Sequence, residues 1–219
     1  METFLIRPII PRIPEPNIIP SAETAITILT YTICVLLAGL IAFLVSQYAA
    51  EHFKGNKKKT ALAFIGIAVT VSALLLCFFG LAVGAVQGIL FCLILAYSSY
   101  SDIKTRESDD YLALMIALTA FIGREVSEIP GMLLSAVLAT IPMFLVLIIC
   151  KGNTIGSADI KLTAACIFLL GISRGIIGLI TGLTIGIIAN LIIQSKKDKV
   201  EGFPLIPYLS AGFMAAYFI

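Results

Sequence analysis

The chain predicts an all-α, polytopic membrane protein: a transmembrane helix bundle of about eight spans. Three observations carry this. Of its 219 residues, 59% are apolar and 13% charged, where a soluble domain holds about 45–50% and about 25%. The charges fall in short islands between long uncharged tracts, the layout a hydrocarbon layer imposes. One tract, residues 60–101, is uncharged throughout. As a single helix it would run about 63 Å against an apolar core of about 30 Å, so it must fold back. The same composition excludes a disordered chain and a nucleic-acid binder, and a net charge of +2 attracts no polyanion.

The elements follow in order. Residues 1–23 hold Pro8, Pro11, Pro14, Pro16 and Pro20. They lack the basic, apolar and small-residue sequence of a cleavable signal peptide and predict an extended arm. Thr24–Ala50 is the first span, with Ser21 as N-cap and Glu23 in the first turn. The basic loop 51–60 (EHFKGNKKKT) ends it. Gly80, Gly84, Gln87 and Gly88 mark a turn that divides the next tract into spans near 60–80 and 86–101. Residues 24–83 thus form two helices ahead of a six-helix core, 84–219. In that core Tyr111–Gly123 is a short tract, about 20 Å as helix. Gly131–Cys150 is a full span kinked at Pro142. Ile160–Ser173 is short again and interrupted by Lys161. Gly175–Ser195 is a full span, and 202–219 closes the chain with Pro204 and Pro207 near its start.

Orientation follows from the cations. With eight spans and the N-terminus outside, one set of loops holds eleven of the fifteen Lys and Arg residues, and the other set only Arg7, Arg12, Arg124 and Arg174. That bias places the first set in the cytoplasm and the protein in the plasma (inner) membrane.

The chemistry is narrowed by what stands where. Cys34, Cys77, Cys92, Cys150 and Cys166 lie in or at the ends of apolar tracts without a CxxC pair, which predicts neither disulfides nor a metal site. His52, the single histidine, sits in the basic loop, so histidine-dependent catalysis is not expected. Glu51, Glu125, Glu128, Asp198 and Glu201 read as solvated loop charges. Ser108 with Asp109 and Asp110 reads as an N-cap and acidic first turn. Asp102 and Asp159 stand apart: each lies where an apolar helix meets the cytoplasmic interface. Ionisable groups at membrane depth usually face a bundle interior or a wet cavity. Spacing leaves two readings open, an inert helix-end charge or two carboxylates in one cleft. A pair in one cleft shares a proton; the ionised member activates water and the protonated member polarises a carbonyl.

The segments SYSDIKTRESDDYL and IGSADIKLTAA resemble the prepilin peptidase family, intramembrane aspartic proteases of the GxGD type. Asp102, followed by Ser108 and Asp109, matches the first motif. Gly156-Ser157-Ala158-Asp159-Ile160-Lys161-Leu162 matches the second, GxGDxKL. Phe203-Pro204-Leu205-Ile206-Pro207-Tyr208-Leu209 resembles a PFxPFL-like run. The resemblance spans about 84–219. It implies catalytic Asp102 and Asp159, with Gly156, Ala158, Lys161, Ser108, Asp109, Pro204 and Pro207 as motif support, and no cofactor or metal. It implies leader removal from prepilin or pseudopilin precursors that carry a basic leader and an apolar helix in the lipid bilayer. Lys104, Arg106, Lys151 or Lys161 could meet a Glu beyond the cut, or serve as interfacial anchors. Two positions depart: Ala158 replaces the second Gly of GxGD, and Glu107-Ser108 replaces Ile-Pro. The cytoplasmic domain that long members use for N-methylation has only loop 51–60 in its place, so a short, peptidase-only form is expected. The competing class is a proton- or cation-coupled transporter with two intramembrane acids; the acids lie at one face, and no inverted repeat is evident.

Overall fold

The computed structural model describes residues 22–106, 109–149, 156–194 and 203–219. All of its regular structure is helical: α1 (Ala22–His52), α2 (Lys57–Phe79), α3 (Val83–Thr105), α4 (Asp110–Thr119), α5 (Ile129–Ile149), α6 (Ser157–Leu170), α7 (Ile172–Gln194) and α8 (Ile206–Tyr217), with a 3-10 turn at Val126–Glu128 before α5. The N-terminal arm, Ser21, Glu107, Ser108, Cys150, Lys151 and the island 195–202 lie outside the described residues.

Five helices, α1, α2, α3, α5 and α7, have the length and composition to cross a membrane, and the chain is a membrane protein. The other three, with 10, 14 and 12 residues for α4, α6 and α8, reach about 15–21 Å. The two short tracts seen in the sequence correspond to α4 and α6. The last segment is short too, because Pro204 and Pro207 delay its helix to Ile206.

Local chemistry sets the boundaries. Asn56 caps α2 by accepting from the N–H groups of Lys58 and Lys59 at 3.1 and 3.4 Å, and Lys57 pairs with Glu51 at 2.6 Å across the loop. The fold-back occurs at Gly80, whose φ of +63° suits a residue without Cβ. This corrects the sequence expectation for the turn: Gly84, Gln87 and Gly88 lie inside α3. Gly88 provides space instead, since a Cβ there would stand 2.8 Å from the Tyr217 ring and 2.9 Å from Leu75. Pro142 lies inside α5, on a helix that faces mostly outward.

Packing divides the molecule. The α1–α2 hairpin has α3 as its main helix neighbour, and α3 also packs on α4 and α8. At the hairpin's far end Phe78 and Phe79 meet Phe218 and Tyr217 edge-on. The α7–α8 pair is built on glycine. A Cβ on Gly182 would stand 2.8 Å from the Leu209 Cα, and one on Gly212 would strike the backbone of Gly178 and Gly182. Small residues let the two backbones touch, which is how helices gain contact where lipid removes the hydrophobic drive.

α3 and α8 meet at both ends. At one end the Ile206 N–H donates to Asp102. At the other the Tyr217 hydroxyl bonds the Gly84 carbonyl at 2.6 Å and lies 3.1 Å from Gln87 Oε1. Gln87 Nε2 donates toward the carbonyls of Thr119 and Ile122, at 3.0 and 3.2 Å. A buried amide thereby satisfies the carbonyls that the end of α4 leaves unpaired.

Candidate active site

The site is built from the last turn of α3 and the first turns of α6 and α8. Asp102 lies in the last turn of α3 and is only 6% exposed. The helix stops directly after it: Arg106 takes the left-handed conformation at φ +57° and its N–H bonds the Asp102 carbonyl at 2.9 Å. Asp102 Oδ2 accepts the Ile206 N–H at 3.0 Å. Ile206 is the first residue of α8, where N–H groups have no partner within the helix. Pro207, next in line, has no N–H to satisfy. The proline-containing run thus aims one buried donor at Asp102.

Asp159 is the third residue of α6 and half-buried. Its Oδ2 accepts the Gly156 N–H at 3.2 Å, the backward half of a capping box, and the positive helix end favours a carboxylate there. Gly156 has ordinary extended backbone angles, so conformation does not demand glycine. Space does: a Cβ at 156 would stand 3.2 Å from Asp159 Oδ2. Ala158, half-buried in the same turn, carries a single methyl beside Asp159. Asp102 and Asp159, 57 positions apart in the sequence, stand at the ends of α3 and α6, two helices that both pack on α8.

The remaining motif residues divide. Pro204 and Pro207 lead into and open α8 beside Asp102. Lys161 is turned to α4: its Nζ lies 2.7 Å from both carboxylate oxygens of Asp110, tying α6 to that helix. Asp109 occupies the N-cap position of α4 but makes no capping bond with its side chain, and its charge acts on the hydroxyls of Tyr97 and Tyr111. Ser108 and Lys151 lie outside the described residues. Lys104 rests 5.8 Å over the Tyr100 ring.

Two features escaped the sequence reading. The Tyr111 hydroxyl donates to that of Tyr97 at 3.3 Å, and nothing in an apolar run marks one tyrosine as paired. Thr163 and Ser210 are buried with unpartnered hydroxyls among the described residues. Each lies four residues, one turn, beyond a site residue, Asp159 or Ile206, so an i+4 reading from those positions would have found them.

This arrangement defines a class: a polytopic helical membrane protein with an acidic side chain in the last turn of α3 and another in the first turn of α6. Residues 89–192, which include Asp102 and Asp159, match the model of the type IV leader peptidase family. No curated protein and no solved structure matches the chain. The matched stretch covers most of α3 through nearly all of α7, leaving α1, α2 and α8 outside it.

Proposed function

We propose that the protein is a membrane aspartic endopeptidase that cuts the leader from type IV prepilin-like precursors. The observation that carries this is the pair itself: Asp102 and Asp159, brought from opposite sides of α4 and α5 to one bundle end, each held by a backbone N–H on one oxygen. In this reading the other oxygen of each carboxylate does the chemistry. In the reaction the ionised carboxylate takes a proton from water as the water oxygen adds to the scissile carbonyl carbon. The protonated partner gives its proton to the carbonyl oxygen. Collapse of the tetrahedral intermediate breaks the C–N bond, and a proton passes to the leaving nitrogen.

The cation bias supports a cytoplasmic site in the plasma membrane, with eight crossings and the N-terminus outside. The precursor's basic leader then stays in the cytoplasm while its apolar helix lies in the bilayer. Loop 51–60 is too short to hold a methyl donor, which supports cleavage without N-methylation. The test uses purified protein and a synthetic precursor. Wild type should release the leader and leave a free N-terminal amine by mass spectrometry, and Asp102→Asn and Asp159→Asn should each release none. Leader release by either variant would sink the assignment.

A further inference from the structure

The candidate site explains where a peptide bond would be cut but not what holds the apolar helix beside it. α1 and α4 both pack on α3 and, among the described residues, do not pack on each other. The gap between them is a groove of about 680 Å³. α3 forms its floor through Leu93 and Tyr97, α1 one wall through Leu44 and Tyr48, and α4 the other through Tyr111 and Met115. Leu44, Tyr48, Tyr111 and Met115 are exposed, so the walls present side chains to whatever fills the gap.

The groove has a direction. Along α4 it runs from Tyr111 to Thr119, nearly the full helix, about 15 Å. Its polar end carries three tyrosines. Tyr48 and Tyr97 have ring centroids 6.3 Å apart, and the hydroxyls of Tyr97 and Tyr111 meet at 3.3 Å. This is the aspartate end: Tyr97 lies five positions before Asp102 on α3, and Tyr111 lies in the first turn of α4 next to Asp110, which Lys161 ties to the first turns of α6. Amphipathic tyrosines mark the level at which an apolar layer gives way to water. A second hollow, between α1 and α2 beside Tyr31 and Cys77, lies toward the other end of the hairpin and has no such continuity with the carboxylates.

We infer that this groove docks the apolar helix of the precursor, its N-terminal end level with the tyrosines and its cut site carried onward to Asp102 and Asp159. The inference rests on the proposed peptidase function. An apolar helix laid into an apolar groove buries side chains along one face, and a substrate whose cut lies just before a membrane helix needs that helix held in the bilayer beside the carboxylates. The occupant thus matches both the groove's lining and its position. α1 acquires a role in the same way. It lies outside the family-matched residues yet supplies a whole wall, which makes it a determinant of which precursors fit.

The experiment uses the full chain in lipid nanodiscs with two synthetic peptides. One has a basic leader followed by an apolar helix of about 20 residues; the other is truncated a few residues beyond the cut. Leu44→Trp and Met115→Trp fill the groove from either wall. Each should raise KM for the long peptide about tenfold or more with kcat retained, and leave cleavage of the truncated peptide unchanged, which also shows that the variant is folded. Ile188→Trp, on the exposed face of α7, should change neither. An unchanged KM for the long peptide would mean that lipid chains fill the groove and would overturn the inference, as would an equal loss on both peptides. Wild-type protein that cleaves neither peptide would instead overturn the peptidase reading itself, and the docking inference with it.

Discussion

The two ends at which α3 and α8 meet use similar parts for opposite purposes. At the far end, Gln87 donates to carbonyls at the close of α4 and stands beside Tyr217, which reaches Gly84. Its amide N–H groups go to backbone carbonyls and its Oε1 accepts from the Tyr217 hydroxyl, so it locks three helices. At the aspartate end a backbone N–H meets one oxygen of each carboxylate. Buried polar groups are normally satisfied because an unpaired one is costly. On the proposed reading, the remaining capacity of the two carboxylates is what meets the reactant.

The largest expected difference between the ends is in kind of damage. Asp102→Asn keeps an oxygen to accept the Ile206 N–H, so α8 stays docked while acid–base chemistry is lost. Leader release should be lost, because the amide can neither take a proton from water nor give one to the carbonyl, with the thermal midpoint in detergent within a few degrees of wild type. A midpoint that collapses together with activity would show that Asp102 is a structural group. Gln87→Leu should do the reverse. It strands carbonyls of Thr119 and Ile122 and should cost about 1–3 kcal/mol, read as a lower midpoint, with kcat per folded molecule preserved.

Much of the aspartate end was legible in the sequence. Asp102 and Asp159 interrupt apolar runs, and the prolines at 204 and 207 announce the start of α8. The far end was not. Gln87 lies between glycines and reads as part of a turn; only its contacts with Thr119, Ile122 and Tyr217, more than thirty positions away, reveal it as a lock inside α3. The reason is physical. Helices that are apolar all round carry no stripe to say which face is inside, so polar partners across the bundle stay hidden. Lys161 shows the same limit. Its pairing with Asp110 across 51 positions is invisible locally, and the carboxylate it holds had the reading of a helix-capping charge.

Gly156→Val sharpens the contrast between space and conformation. The added Cβ would stand 3.2 Å from Asp159 Oδ2, and the branch would crowd it further. Displacement of this kind costs about 1–3 kcal/mol and falls on the carboxylate. Cleavage should drop by about tenfold or more while Gly156→Ala retains part of it. Equal activity of the alanine and valine variants would show that Asp159 does not need the room.

Thr163→Val tests whether the polar layer one turn below Asp159 is a cost to the fold. Valine is near the shape of threonine and removes a buried hydroxyl that has no partner among the described residues. The variant should gain about 1 kcal/mol or more of stability, seen as a higher midpoint in detergent. A lower midpoint would show that the hydroxyl is bonded in the folded protein and belongs with the satisfied groups of the far end.

The smallest expected effect is at Lys161. Its ion pair with Asp110 is short, 2.7 Å, but the side chains are 51% and 70% exposed. Pairs in such settings contribute about 0–1 kcal/mol, because solvent screens them and two long side chains lose freedom. Lys161→Met, Asp110→Asn and the double variant should therefore show a coupling of less than about 1 kcal/mol in thermal stability. The cycle also separates two roles for the lysine. If it serves only to tie α6 to α4, the single variants should lose similar small amounts of cleavage and the double variant no more than either. If Lys161 meets an acidic group of the precursor, Lys161→Met should raise KM while Asp110→Asn, which frees the ammonium group, should lower it. Opposite shifts in KM would overturn the purely structural role assigned by the Asp110 contact, and matched shifts would uphold it.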